Sequence, residues 1–165
     1  MSLFPREPLF SSASEEWETP PAFYDFVNRE FSFELDAAAT PRNAKCDRFL
    51  TKVEDGLVTP WNCERVWLNP PYGRGIIAPW MQRAALFGGQ GATVVCLVHA
   101  RTDTAFWHNF VMAHAREIRF VRGRLKFLDM DKRELSGATF PSVLVVFSGK
   151  RSTPWPLCSA VDWRN

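Results

Sequence analysis

The 165 residues predict an α/β domain built on a mostly parallel sheet with an antiparallel edge hairpin. Three observations carry this. Residues 92–99 form a continuous apolar run, as expected of a strand buried on both faces of a parallel sheet. Stretches with helical spacing alternate with strand-like runs through the first two thirds of the chain. After residue 115 the strand-like runs crowd together, as in an antiparallel edge.

The elements follow in order. Residues 1–14 are rich in Pro and Ser and read as a loose arm; residues 15–165 read as one domain. Pro20 and Pro21 can open a helix, because its first turn does not use their missing N–H groups. Phe23, Phe26 and Val27 then repeat at helical spacing. Residues 33–36 predict a short strand ending in a carboxylate, and 42–49 a helix or turn. Residues 65–68 predict a strand that must stop at Pro70, since proline cannot donate to a ladder. A helix is expected over 76–87, closed by Gly88 and Gly89, and another over 104–115. Strands are expected at 117–121, 125–128 and 142–147. The tail from 150, with Pro154, Trp155 and Pro156, is expected to pack irregularly.

Composition narrows the class. With 46% hydrophobic and 23% charged residues, the chain matches an ordinary globular domain. No apolar run approaches the roughly 20 residues that span a bilayer, and the first ten residues lack a secretory pattern. Cytoplasmic residence is therefore expected, with no membrane partner. Cys46, Cys63, Cys96 and Cys158 form no C-x-x-C pair and have no histidine at ligand spacing, so no metal site is expected. The net charge of +2 is too small to indicate a nucleic-acid partner. Eight Lys and Arg residues between Arg101 and Arg133 against four carboxylates describe either a phosphate-binding face or a solvated surface.

Asn69-Pro70-Pro71-Tyr72 falls at the C-terminal end of a predicted strand, where open α/β sheets bind ligands. The Asn amide oxygen and the Pro70 carbonyl are two acceptors, the second held rigidly by two fixed φ angles. Tyr72 adds a flat face. Two acceptors and a plate suit a planar ring with an exocyclic amino group. Holding both N–H bonds turns the nitrogen lone pair toward an electrophile. A sulfonium methyl group suits such a nucleophile, and catalysis is then mostly alignment. The plainer reading is a rigid turn with Asn69 capping and Tyr72 packing.

The chain resembles amino-group methyltransferases carrying [Asn/Asp]-Pro-Pro-[Tyr/Phe/Trp], and more closely the phage-type (Dam-like) DNA N6-adenine methyltransferases. The stretches that carry the resemblance are Trp17-Glu18-Thr19-Pro20, Leu35-Asp36-Ala37-Ala38, Asn43-Ala44-Lys45-Cys46, Glu54-Asp55-Gly56-Leu57, the Asn69 motif with Gly73, Ala100-Arg101-Thr102-Asp103-Thr104, Gly123-Arg124-Leu125-Lys126-Phe127 and Pro141-Ser142-Val143-Leu144. They cover nearly all of the chain after residue 14.

The resemblance implies a single-domain, Rossmann-like S-adenosylmethionine-dependent methyltransferase. It implies a catalytic set of Asn69, Pro70, Pro71 and Tyr72, and a cofactor set of Trp17, Thr19, Pro20, Asp36, Ala37 and Asp55. Asp36 would face the cofactor's amino group; otherwise it reads as a helix cap, and Asp55 as a turn residue. Asp47 and Asp55 compete for the cofactor ribose. One departure stands out. Ala37-Ala38-Ala39 occupies the place of the usual Gly-x-Gly loop, and the 36–65 interval is short for two further strands.

The implied partner is DNA in a bacterial cytoplasm, with the target adenine flipped out of the duplex and stacked on Tyr72. Arg101, Arg122, Arg124 and Lys126 are the candidate phosphate contacts. Residues 123–138 would form a ribbon that fits a groove, or simply a charged edge strand. Two alternatives remain at this point: a methyltransferase of RNA or of a protein glutamine, and a non-catalytic DNA-binding relative.

Overall fold

The computed structural model describes residues 17–61, 65–73, 75–129, 131–135 and 140–164. The expected arm at 1–14 lies outside the described residues. Helix α1 (Pro21–Phe31) starts with Pro21 in its first turn and buries Phe23, Tyr24 and Val27. It stops at Ser32, which turns left-handed (φ 51) while its N–H donates to the Asn28 carbonyl.

Among the described residues, six strands make one sheet: β1 (Leu35–Asp36), β2 (Arg65–Leu68), β3 (Thr93–His99), β4 (Glu117–Val121), β5 (Ser142–Ser148) and β6 (Leu157–Val161). Their spatial order is β1-β2-β3-β5-β4-β6. Strands β1, β2 and β3 are parallel, as are β4 and β6; β5 runs against both of its neighbours. The antiparallel element is thus inside the sheet rather than at its edge. Helix α1 covers one face, through Trp67, Val95, Leu97, Leu144 and Val146. Helix α2 (Ile77–Gly89) and a π-helical segment, Trp107–Met112, cover the other, through Val66, Val94, Cys96, Val143 and Val145. Each such fully buried aliphatic side chain contributes roughly 1.5–3 kcal/mol.

Residues 42–49, expected as a helix or turn, form a turn and bends that end in a bridge from Phe49 to Asp36. Three expectations are corrected. Helix α2 runs through both glycines, because Gly88 is there for packing: a Cβ on it would lie 2.6 Å from the Cβ of Phe147. The segment 125–128 is not a ladder strand. Leu125 and Phe127 point into the core, and only Leu128 pairs, in isolated bridges to Glu18 and Glu134. Residues 130 and 136–139 of the expected ribbon lie outside the described residues. The tail, expected to be irregular, supplies β6. Four of its five residues are exposed, and the nearby Pro154 and Pro156 masked this short, mostly apolar stretch.

The short 36–65 interval also finds its explanation. Among the described residues, β1 has no full strand on its outer side. Residues 48–50 run along it instead: Asp36 donates to the Arg48 carbonyl at 3.0 Å, and Leu50 donates to the Asp36 carbonyl at 2.9 Å.

Candidate active site

Leu35 stands opposite Val66, and Asp36 opposite Trp67, in parallel register. The ends of β1 and β2 therefore deliver Asp36 and Asn69 to the same end of the sheet, where open α/β sheets hold ligands. A pocket of about 320 Å³ opens there. Its walls come from the 17–19 strap, residues 36–40, the loop around Gly56, the Asn69-Pro70-Pro71 turn and Trp80 of α2.

Of the expected cofactor residues, Trp17, Thr19, Asp36, Ala37 and Asp55 line this pocket together with Asn69, Pro70 and Pro71. Pro20 and Tyr72 are not among its lining residues. The Pro20 carbonyl serves α1, accepting from the N–H groups of Phe23 and Tyr24 at 3.1 Å. Asp55 lines the pocket and Asp47 does not. Asp55 is also a turn residue, with φ 49 and Oδ1 accepting from the Leu57 N–H at 2.9 Å.

The glycine absent after β1 arrives from another loop. A Cβ on Gly56 would lie 2.2 Å from the Ala37 carbonyl oxygen and 2.8 Å from the Trp80 ring. Two donors pin its own carbonyl: Trp61 Nε1 at 3.0 Å and Arg83 Nε at 2.8 Å. The loop is held against the small Ala37, and this contact forms one wall of the pocket.

Asp36 is 3% exposed. Its carboxylate accepts from the backbone N–H groups of Ala38 at 3.3 Å and Lys45 at 3.0 Å. Burial outweighs these bonds and pushes its pKa up to about 6. Such a group is poised to accept a cationic partner. Thr19 is 2% exposed, and its Oγ1 has no hydrogen-bond partner among the described residues.

Sequence reasoning missed Glu18. It is buried at the pocket wall between Lys45, at 3.0 Å, and Lys132. Burial alone would raise its carboxyl, but the two lysines outweigh that and hold it below the usual range. Backbone bonds at 3.0 Å tie Glu18 to Leu128 in both directions. No signal in the sequence marks it, because its lysine partners lie 27 and 114 positions away.

The Asn69 amide is oriented by its surroundings. Nδ2 donates to the Trp17 carbonyl at 2.8 Å, so Oδ1 is the end left as acceptor. The Tyr72 hydroxyl lies 2.9 Å from the Leu97 carbonyl and 3.1 Å from Asn69 Oδ1. One phenolic proton cannot fully serve two acceptors, so Asn69 Oδ1 is short of a donor. Burial holds the Tyr72 phenol well above its usual pKa, and it stays protonated. The Tyr72 ring is stacked on His99 at 4.2 Å and sits near Trp17 at 5.6 Å.

The basic candidates are exposed, and Arg101 and Arg124 lie near this aromatic cluster. Arg101 lies over Phe140 at 5.1 Å, and Phe140 contacts His99. Arg122 pairs with Asp162 at 2.8 Å and Lys126 with Glu134 at 2.9 Å. Arg101 and Arg124 are both close enough to add to the burial that depresses His99. Arg164, not anticipated, donates to the Arg124 carbonyl at 3.2 Å and packs beside Gly123.

The fold is that of the class I methyltransferases. It resembles the crystal structure of a protein from Listeria monocytogenes described as a class I S-adenosylmethionine-dependent methyltransferase, with a TM-score of 0.54, 11% identity, and coverage of 90% of this chain and 67% of that one.

Within that class, residues 8–164 match the family model described as DNA N-6-adenine-methyltransferase (Dam), and the chain belongs to this family. A DNA N-6-adenine-methyltransferase of Escherichia phage T1 is 29% identical over 111 residues, 66% of this chain and 45% of the relative. The chain thus aligns with less than half of that relative's length.

Proposed function

We propose that this chain transfers a methyl group from S-adenosylmethionine to the exocyclic amine of adenine in DNA. The observation that carries the reading is the Asn69 amide, locked by the Trp17 carbonyl so that a donor-starved Oδ1 stands at the pocket wall. Family membership supports the choice of adenine.

The pocket residues fit the cofactor. Asp36, raised by burial, would meet its ammonium group; Thr19 Oγ1, without a partner, would gain one. Bound there, the cofactor supplies an electrophilic sulfonium methyl. Asn69 Oδ1 and the Pro70 carbonyl would hold the two N6 protons and turn the nitrogen lone pair toward the pocket. Tyr72 would fix the plane of the base, and the closed aromatic surroundings would keep water out. Because the amine is a neutral nucleophile, no strong base precedes attack, and alignment carries most of the rate. Arg101, Arg122, Arg124 and Lys126 would contact phosphates around a base flipped from the duplex.

The test uses labelled S-adenosylmethionine with unmethylated DNA, RNA and protein, followed by nucleoside analysis. Label in N6-methyladenine from DNA is expected. Label only in RNA or protein would refute the substrate, and absent cofactor binding would refute the reaction.

A further inference from the structure

The aromatic cluster around Tyr72 holds two buried polar atoms without partners among the described residues, His99 Nε2 and Ser142 Oγ. His99 is 8% exposed and Ser142 1%. Buried polar atoms are almost always satisfied, so each such exception needs a reason. His99 and Ser142 are directly opposite each other in the antiparallel β3–β5 pair. Their side chains therefore leave the same face of the sheet, with Cβ atoms roughly 5 Å apart. That is the face of Leu97 and Leu144, beneath α1.

A hydroxyl donates or accepts as required, so either tautomer of a neutral imidazole can pair with it. The two groups stay apart because the His99 ring lies flat on Tyr72, at 4.2 Å and 16°. Stacking on Tyr72 and bonding to Ser142 are thus competing positions for one ring. Burial, with Arg101 and Arg124 nearby, keeps His99 neutral, so it acts as an aromatic plate and not as a cation.

We infer that His99 is a placeholder: it covers the Tyr72 face in the free protein, then turns to the Ser142 hydroxyl and yields that face to the incoming base. This rests on the reading of Tyr72 as the stacking plate for a flipped adenine. His99 is accordingly a positioning residue, acting through Tyr72. A phenylalanine would cover Tyr72 equally well, but without a second position to move to. That difference accounts for a histidine opposite a serine here.

The experiment measures DNA methylation kinetics for wild type, His99→Phe, His99→Ala and Ser142→Ala, with cofactor affinity as a check on folding. His99→Phe and Ser142→Ala should raise the KM for DNA roughly tenfold, the order of one lost hydrogen bond, with kcat nearly unchanged. His99→Ala, which removes the cover, should leave that KM unchanged or lower. In wild-type protein, the His99 Cε1–H resonance should be shifted upfield by Tyr72 and should lose that shift when short unmethylated duplexes and S-adenosylhomocysteine are added together. A resonance still upfield at saturation overturns the proposal. So does a raised KM in His99→Ala, or an unchanged one in Ser142→Ala. Wild-type protein that binds cofactor but methylates no DNA overturns the underlying reading of the site, and the placeholder with it.

Discussion

The main-chain carbonyl of Trp17 receives the side-chain amide of Asn69 at 2.8 Å. A residue at the start of the described chain thereby sets which end of a side chain 52 positions later is left as an acceptor. Being a carbonyl, it can only accept, so the orientation cannot invert without losing the bond.

This contact sets the expected behaviour of position 69. Asn69→Asp would place carboxylate oxygen against the Trp17 carbonyl, acceptor against acceptor. Asn69→Ala removes the acceptor for the amine altogether. Both should lower kcat by about 10²–10³-fold, the range seen when one preorganised polar group is lost. Cofactor affinity should change little. Tyr72→Phe keeps the ring and should cost less than tenfold, about one neutral hydrogen bond. Steady-state kinetics and cofactor titration of the three variants check this; an Asn69→Asp enzyme as active as wild type would contradict it.

Cofactor affinity should depend on pH through Asp36. Burial raises its pKa from 3.8 to about 6. Its ionised form is therefore disfavoured in the free protein, and the stability it contributes is full below 3.8 and lost as pH rises through about 6. A cationic ligand reverses the preference by favouring the carboxylate. Affinity should thus fall roughly tenfold per pH unit below about 6 and level off above 7. Calorimetry across pH 5–8 should show proton release near 6. Asp36→Asn should bind weakly and lose the slope.

Gly56→Ala tests the loop that replaces the glycine-rich turn. The added methyl would meet the Ala37 carbonyl at 2.2 Å, and the Gly56 carbonyl is already pinned from two sides. Neither backbone can yield cheaply. A loss of about 3 kcal/mol is expected, the upper end for overpacking, or roughly 6–12 °C in Tm for a chain of this size. Residual cofactor affinity should fall as well. Thermal melts with and without cofactor measure both.

The basic residues are checked by salt dependence. If Arg101, Arg122, Arg124 and Lys126 contact phosphates, each substitution by Ala should flatten the slope of log K against log salt by about 0.9. Arg122 and Lys126 have close carboxylate partners at 2.8 and 2.9 Å, whereas the Arg101 pair with Asp103 is longer at 3.9 Å, so the Arg122 and Lys126 effects should be smaller than that of Arg101. An unchanged slope in all four variants would remove this face from the DNA interface.

Much of the site was legible in the sequence because its chemistry sits at strand ends. Asp36 ends the strand-like stretch Phe33-Glu34-Leu35 and Asn69 follows the apolar run Val66-Trp67-Leu68, and parallel register brings such ends together. Glu18 was not legible, since its two lysines come from positions 45 and 132 and only the fold unites them. Nor was the role of Gly56, which depends on a carbonyl nineteen residues away. Strand β6 was hidden by its surroundings: Leu157 to Val161 is a short, mostly apolar stretch directly after Pro154, Trp155 and Pro156, which read as irregular. Gly88 misled, because a glycine at a helix end reads as a stop, whereas here Phe147 requires the missing side chain.

The position of β5 bears on how the molecule comes into being. It is central in the sheet, between β3 and β4, yet it is the fifth strand of six to be synthesised. Until Ser148 is available, β3 has an open, apolar side and β4 has no neighbour to join, because β5 and β6 both follow it in the chain. The pairing that closes the core also spans a long loop, from His99 to Ser142, and contacts of that kind form slowly. Assembly of the sheet should therefore be late and all-or-none, with no stable half-built form of the N-terminal strands. A nascent chain stopped short of β5 would expose that apolar side and be readily degraded, so the cell should contain either the finished protein or none of it.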